Sequence, residues 1–213
     1  MTTVRSYVKA SERRSEIVSA ARVVLNRRGV AGTTMRSVAA EAATPLATLQ
    51  YVFPTRGELI IAVQEEVQAD ISAVLAATEV DAGLAHAIRC GIRNYSEQLV
   101  VQDPDLARLS HDLFINTLSN PELEHFGRRQ VETYVRVVAH WCRQAATNAG
   151  ETSAVPFGTL ARVMIGTVMG MGMYHLGDYD EAGSRRDLTT VADMLVRYAA
   201  VRPGAPSEPL AVR

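Results

Sequence analysis

The residues of this 213-residue chain best equipped for recognition chemistry lie in one stretch, Thr33–Arg56, TTMRSVAAEAATPLATLQYVFPTR. Gln50 carries an amide that donates and accepts together, the pattern that matches adenine N6 and N7. Leu46 and Ala47 lack hydrogen-bonding side chains and suit a thymine methyl. Thr34, Arg36, Thr48, Tyr51 and Arg56 carry hydroxyls and guanidiniums suited to phosphate oxygens, contacts that fix register without reading sequence. Thr44 and Pro45 lead into the same face. Plainer readings stand beside these: a solvated surface amide for Gln50, and a ring packed on the following helix for Tyr51.

Such a face has to be held up by something. Met35, Val38, Ala39 and Ala42 recur at spacings of three and four, and a helix hides one stripe at that period. Thr33 or Thr34 can cap this helix, because a hydroxyl there accepts from an otherwise orphaned N–H. Pro45 fits the first turn of a second short helix, where a missing N–H costs nothing. Leu49, Val52 and Phe53 then turn toward the first helix, while Leu46, Ala47, Gln50 and Tyr51 point away. A helix-turn-helix presents the start of its second helix to the major groove in this manner; an ordinary helical hairpin shares the pattern.

Upstream, residues 11–28 form a third helix. Ser11 is its expected N-cap, and Ile17, Ala20, Ala21, Val24 and Leu25 form its stripe. Gly29 closes it where a left-handed residue is expected. Arg13 and Arg14 are expected near the duplex backbone, and residues 1–10 read as a flexible basic arm. After Pro54, Thr55 caps a linker helix over 56–78.

Charge separates the chain in two. Residues 1–56 hold nine Lys/Arg against three Asp/Glu, net +6, and the remainder holds thirteen against twenty, net −7. A basic end on an acidic body suits a polyanion at one end only. Cys90 and Cys142 are far apart, outside metal-ligand spacing, and read as small apolar residues in a reducing compartment. The first residues, MTTVRSYVKASERRSE, lack the apolar segment of a secretory signal. The longest uncharged run, Val163–Gly177, has fifteen residues, short of the roughly 20 of a membrane span. A cytoplasmic protein without membrane contact is expected.

The run Arg14–Val63 resembles the N-terminal domain of the TetR family of bacterial transcriptional regulators. AARVVLNRRGVAGTT, MRSVAAEAA, TPLATLQYVF and PTRGEL stand in the expected order and spacing. The departures are Ala43 for the usual turn glycine, Gln50 for Tyr, Tyr51 for His and Arg56 for Lys. The resemblance implies an all-α protein: a three-helix helix-turn-helix DNA-binding domain at 1–55, and a ligand-binding and dimerisation domain at 56–202. It also implies a double-stranded palindromic operator, a homodimer and a small-molecule inducer. Repression is the family's commonest mode, although these residues do not separate repressor from activator.

The body reads as helices between short breakers, at Leu84–Gln102, Asp105–Leu118, Pro121–Asn148, Pro156–Leu176 and Arg185–Val201. The total is about nine helices with no strand, and 203–213 reads as a disordered tail. Tyr95, His111, Phe114, Tyr134, Trp141, Met169 and His175 could line an apolar ligand cavity, though the same types serve equally as core. Gly166 and Gly170 lie in a glycine-rich helix, and each interior glycine costs roughly 1 kcal/mol against alanine. Close approach of a second helix would justify them, so with Met173, Leu188, Val191 and Leu195 they form the expected dimer face; room for a ligand or a loosened helix is the alternative. A glycine-rich phosphate loop, a GxSxG elbow, zinc spacing and a carboxylate pair are all missing. No cofactor is expected, and an all-helical enzyme or a helical adaptor without specific DNA binding are the alternatives.

Overall fold

A computed structural model describes residues 2–177 and 180–203. Nine α-helices run along them: α1 (Thr2–Gly32), α2 (Met35–Glu41), α3 (Leu46–Val52), α4 (Arg56–Ala76), α5 (Leu84–Ser96), α6 (Pro104–Ser119), α7 (Glu124–Asn148), α8 (Phe157–Gly177) and α9 (Glu181–Ala199). A π-helical turn, Glu97–Gln102, continues α5. The all-helical class holds, with one correction: β1 (Glu151–Ser153) and β2 (Val201–Pro203) pair antiparallel, Glu151 opposite Pro203. The cause is local. Ala200, at φ 45 and ψ 58, ends α9 with a left-handed turn, and the chain comes back alongside the residues that follow Gly150.

Two helix starts also differ from expectation. The backbone is helical from Thr2 rather than an arm, and residues 2–28 contain neither Gly nor Pro to interrupt it. Helix α9 begins at Glu181, before the expected Arg185. Of the tail expected to be disordered, all but Pro203 lies outside the described residues.

The chain forms two compact units. One comprises Met1–Ala73 with Asp103–Gln130, the other Val74–Gln102 with Val131–Arg213. Compactness therefore divides the chain differently from the expected 55/56 boundary: most of α4, all of α6 and the start of α7 fold with the N-terminal helices. Buried hydrogen bonds explain part of this. Gln64 of α4 donates to Gln130 Oε1 at 2.6 Å and accepts from the Thr117 hydroxyl of α6 at 2.7 Å. All three side chains are buried. Arg22 of α1 adds an ion pair to Asp70 of α4 at 2.6 Å.

The second unit has its own core of Leu84, Ile88, Trp141, Cys142, Leu160 and Leu188 with their neighbours. Gly91 of α5 is needed there, because a Cβ would lie 2.9 Å from the Trp141 ring. At the start of α5, which follows Gly83, Glu151 Oε2 accepts from Leu84 N at 2.8 Å.

Candidate DNA-reading site

The reading stretch is assembled from caps and a small core. Thr34 is the N-cap of α2: its hydroxyl accepts from Ser37 N at 3.1 Å, while Ser37 Oγ accepts from Thr34 N at 3.0 Å. Thr33, the other capping candidate, is buried and donates its hydroxyl to Gly29 O at 2.8 Å. Pro45 is the N-cap of α3, one place ahead of the first turn, and no side chain caps that end. Val38, Ala39, Leu49 and Phe53 are buried. The Arg14 guanidinium lies 5.0 Å from the centroid of the Phe53 ring, so this expected backbone neighbour stacks on the reading unit itself. Arg27 pairs with Glu41 at 3.0 Å and ties α1 to α2.

With Leu49 and Phe53 inward, the period of α3 sends Ala47, Gln50 and Tyr51 out. Tyr51 is 89% exposed, which removes the reading of a ring packed on the next helix. Leu46, Thr44 and Thr48 are half-buried at the edge of this face, and Thr34, Arg36 and Pro45 are exposed. The turn before α3 holds Ala43 at φ 46, a left-handed backbone that a methyl-bearing residue adopts at a cost.

Arg56 is the exception among the expected phosphate contacts. Its Nε donates to Thr33 O at 3.0 Å and its Nη2 to Val30 O, so the guanidinium is turned onto the corner between α1 and α2.

The expected ligand residues divide between the units. His111 and Phe114 are on α6 in the first unit, and His111 Nδ1 lies 2.8 Å from Ala107 O of its own helix. Tyr95, Tyr134, Trp141, Met169 and His175 are in the second. There Trp141 and His175 are buried, and Trp141 Nε1 and His175 Nε2 have no hydrogen-bond partner. Burial, with the neighbouring Tyr134, pushes the Tyr95 phenol up to about 12. Among the described residues no group of three or more His, Cys, Asp or Glu could hold a metal ion, and no helix is long and apolar enough to cross a membrane.

The expected dimer face needs correction on α9. Leu188, Val191 and Leu195 are buried in their own unit's core, so their apolar stripe is already covered. Gly166, Gly170 and Met173 of α8 are exposed, and a Cβ at either glycine would meet nothing within 4 Å. Val163 and Tyr174 of α8 and Met194 and Tyr198 of α9, outside the expected set, are exposed as well. Their signal was faint: on α9, Met194 and Tyr198 recur at i and i+4 beside the covered stripe.

A short helix with an outward polar face, propped by two others and joined to a larger helical body, defines a helix-turn-helix DNA-binding protein. Residues 17–63 match the model of the N-terminal domain of bacterial regulatory proteins of the tetR family. That match covers the helix-turn-helix stretch together with its bracing helices, and it assigns this part of the chain to the TetR family of bacterial regulatory proteins. The chain is similar to a solved TetR-family member from Streptomyces coelicolor, with 26% identity, a TM-score of 0.65 and coverage of 84% of this chain and 98% of that one. It is also similar to the multidrug binding protein EbrR in complex with malachite green, at 26% identity and TM-score 0.61, over 84% and 98% of the two chains. A transcriptional regulator from Rhodococcus shares the fold at 19% identity and TM-score 0.72, over 89% and 99%. No curated protein sequence matches significantly.

Proposed function

We propose that this protein is a ligand-responsive repressor that binds a palindromic operator as a homodimer and leaves it when a small molecule binds the helical body. The outward triad of Ala47, Gln50 and Tyr51 on α3 carries the reading. Gln50 is exposed and aimed away from the core, as a residue that reads an adenine edge must be. Thr34, Arg36, Thr44, Pro45, Leu46 and Thr48 surround it as contacts to phosphates and thymine methyls. Residues 56–202 serve ligand binding and dimerisation.

The dimer face is α8 with the exposed side of α9. Glycines 166 and 170 make no use of their missing side chains within the protomer, which favours a second copy laid against them. Two-fold symmetry would also place two reading helices on a palindrome. For the ligand, Trp141 Nε1 and His175 Nε2 are buried polar atoms without a hydrogen-bond partner in the second unit, and solved complexes of EbrR show that protein binding malachite green and ethidium. A ligand releases the operator only if it binds the non-reading conformation better, and coupling of about 1–3 kcal/mol is typical.

The test is fluorescence anisotropy on duplex from upstream of the protein's own gene, at two salt concentrations, against random competitor. Binding that outlasts the competitor supports the regulator. Equal, salt-erased binding to both duplexes on this and other candidate promoters would favour an adaptor instead.

A further inference from the structure

Val30 is gripped from two sides by residues far along the chain. Gly29, at φ 67 and ψ 172, turns the backbone out of the first part of α1. The next peptide N–H, that of Val30, donates to Asp112 Oδ2 of α6 at 2.8 Å. The Val30 carbonyl accepts from Arg56 Nη2 at the start of α4, and Arg56 Nε reaches Thr33 O at 3.0 Å. Thr33 closes the corner through its own hydroxyl on Gly29 O. Thr34, the N-cap of α2, comes next. The direction in which α2 leaves α1, and with it the aim of α3, is thus fixed at this corner.

We propose that Arg56 and Asp112 are positioning residues of the DNA reader, holding the Val30–Thr33 corner from α4 and α6 without touching DNA. The inference rests on the DNA-binding reading above. Two of the three guanidinium nitrogens of Arg56 donate to backbone carbonyls, so its Nε–Nη2 edge is occupied and the group is held on the corner. A lysine would keep the charge but has to reach both carbonyls from one nitrogen, so the exchange is not conservative here. Asp112 bears the charge that phosphates repel, so its influence on DNA must pass through the Val30 peptide. The reader's aim therefore depends on the placement of α6, whose Asp112 is 82 residues from Val30.

The experiment compares full-length wild type, Arg56→Lys, Arg56→Gln and Asp112→Ala, each checked for a cooperative thermal transition. Affinities for operator and random duplex are measured across a salt series, and exchange of the Val30 amide is followed without DNA. The expected result is a ratio of operator to random affinity reduced about tenfold in Arg56→Lys and Asp112→Ala, the order a lost charge-assisted hydrogen bond gives. The salt slope should stay at its wild-type value in every variant, and the Val30 amide should exchange faster in Asp112→Ala. Wild-type discrimination in Arg56→Lys, with a slope lowered by about 0.9 in Arg56→Gln, would make Arg56 a phosphate contact and overturn the proposal. So would unchanged Val30 exchange in Asp112→Ala. If wild type itself fails to prefer an operator, the DNA reading fails, and the exchange measurement still decides whether Asp112 holds the corner.

Discussion

Gln64 and Gln130 meet amide to amide at 2.6 Å inside the first unit, with Gln64 only 2% exposed. Thr117 completes the chain by donating to Gln64 Oε1. Inside a protein such a network is worth most when complete, because each member lost leaves another desolvated and unpaired. Replacing Gln64 with Ala should lower unfolding stability by roughly 2–4 kcal/mol, combining a cavity with lost polar partners. Urea denaturation should show a lower midpoint at an unchanged slope. A loss under half a kilocalorie would mean that water already serves these groups.

Ala43 holds a left-handed backbone at φ 46 in the turn before α3. Glycine adopts that conformation without a Cβ clash, although it adds entropy to the unfolded chain. Ala43→Gly should raise stability by about 0.5–1 kcal/mol, read as an upward shift in Tm. A destabilised variant would show that the methyl group contributes more by packing than it costs by strain.

Gln50→Ala should leave folding untouched and relax base preference at one position in each half-site. The discrimination lost is about 1–3 kcal/mol, the worth of a bidentate amide–adenine pair. Selection from randomised duplexes measures it directly, and an unaltered preference would remove Gln50 from the reading set.

On α9 two neighbouring residues should behave in opposite ways. Met194 is 55% exposed and Leu195 is 3% exposed. Met194→Asp should give folded monomers in sedimentation experiments, since it places a charge only on the proposed dimer face. Leu195→Asp buries an unpaired carboxylate and should abolish the cooperative fold. A dimeric Met194→Asp protein would move the interface elsewhere.

Alkali should weaken the second unit with a defined sign. Burial pushes the Cys142 thiol from 9.0 up to about 12, and Tyr95 rises from 10.0 to about 12. Both folded-state values are raised, so the unfolded chain loses these protons first. The associated stability is fully present below pH 9.0 for Cys142 and below pH 10.0 for Tyr95, and drains away as pH climbs toward about 12. Each group contributes a slope of at most about 1.4 kcal/mol per pH unit. Denaturation of Tyr95→Phe between those limits should show a shallower decline than wild type, and a parallel decline would mean Tyr95 titrates alike in both states.

What could be read from sequence was local chemistry. Gly29, Thr34 and Thr55 mark helix ends because a left-handed glycine or a capping hydroxyl acts within three or four residues of itself. The outward turn of Gln50 followed from Leu49 and Phe53 by period alone. Long-range pairings were invisible: nothing near Arg56 indicates that its partners are the carbonyls of Val30 and Thr33, and nothing near Asp112 names Val30. Helix α9 failed for another reason. It carries two adjacent apolar stripes, Leu188–Val191–Leu195 and Met194–Tyr198, and periodicity finds stripes without saying which is already covered. The β1–β2 ribbon, three residues on each side, is too short to carry a period.

The first unit is assembled from two separated lengths of chain, Met1–Ala73 and Asp103–Gln130. On the ribosome its N-terminal helices emerge well before α6, at about 5–20 residues per second. For several seconds the Val30 corner has Arg56 and lacks Asp112, and Gln64 has neither Thr117 nor Gln130. The nascent reader is then an incomplete fold with an open apolar flank, a candidate for chaperone capture or premature contact with a neighbouring chain. A fragment ending at residue 102 would remain in that unfinished condition for good.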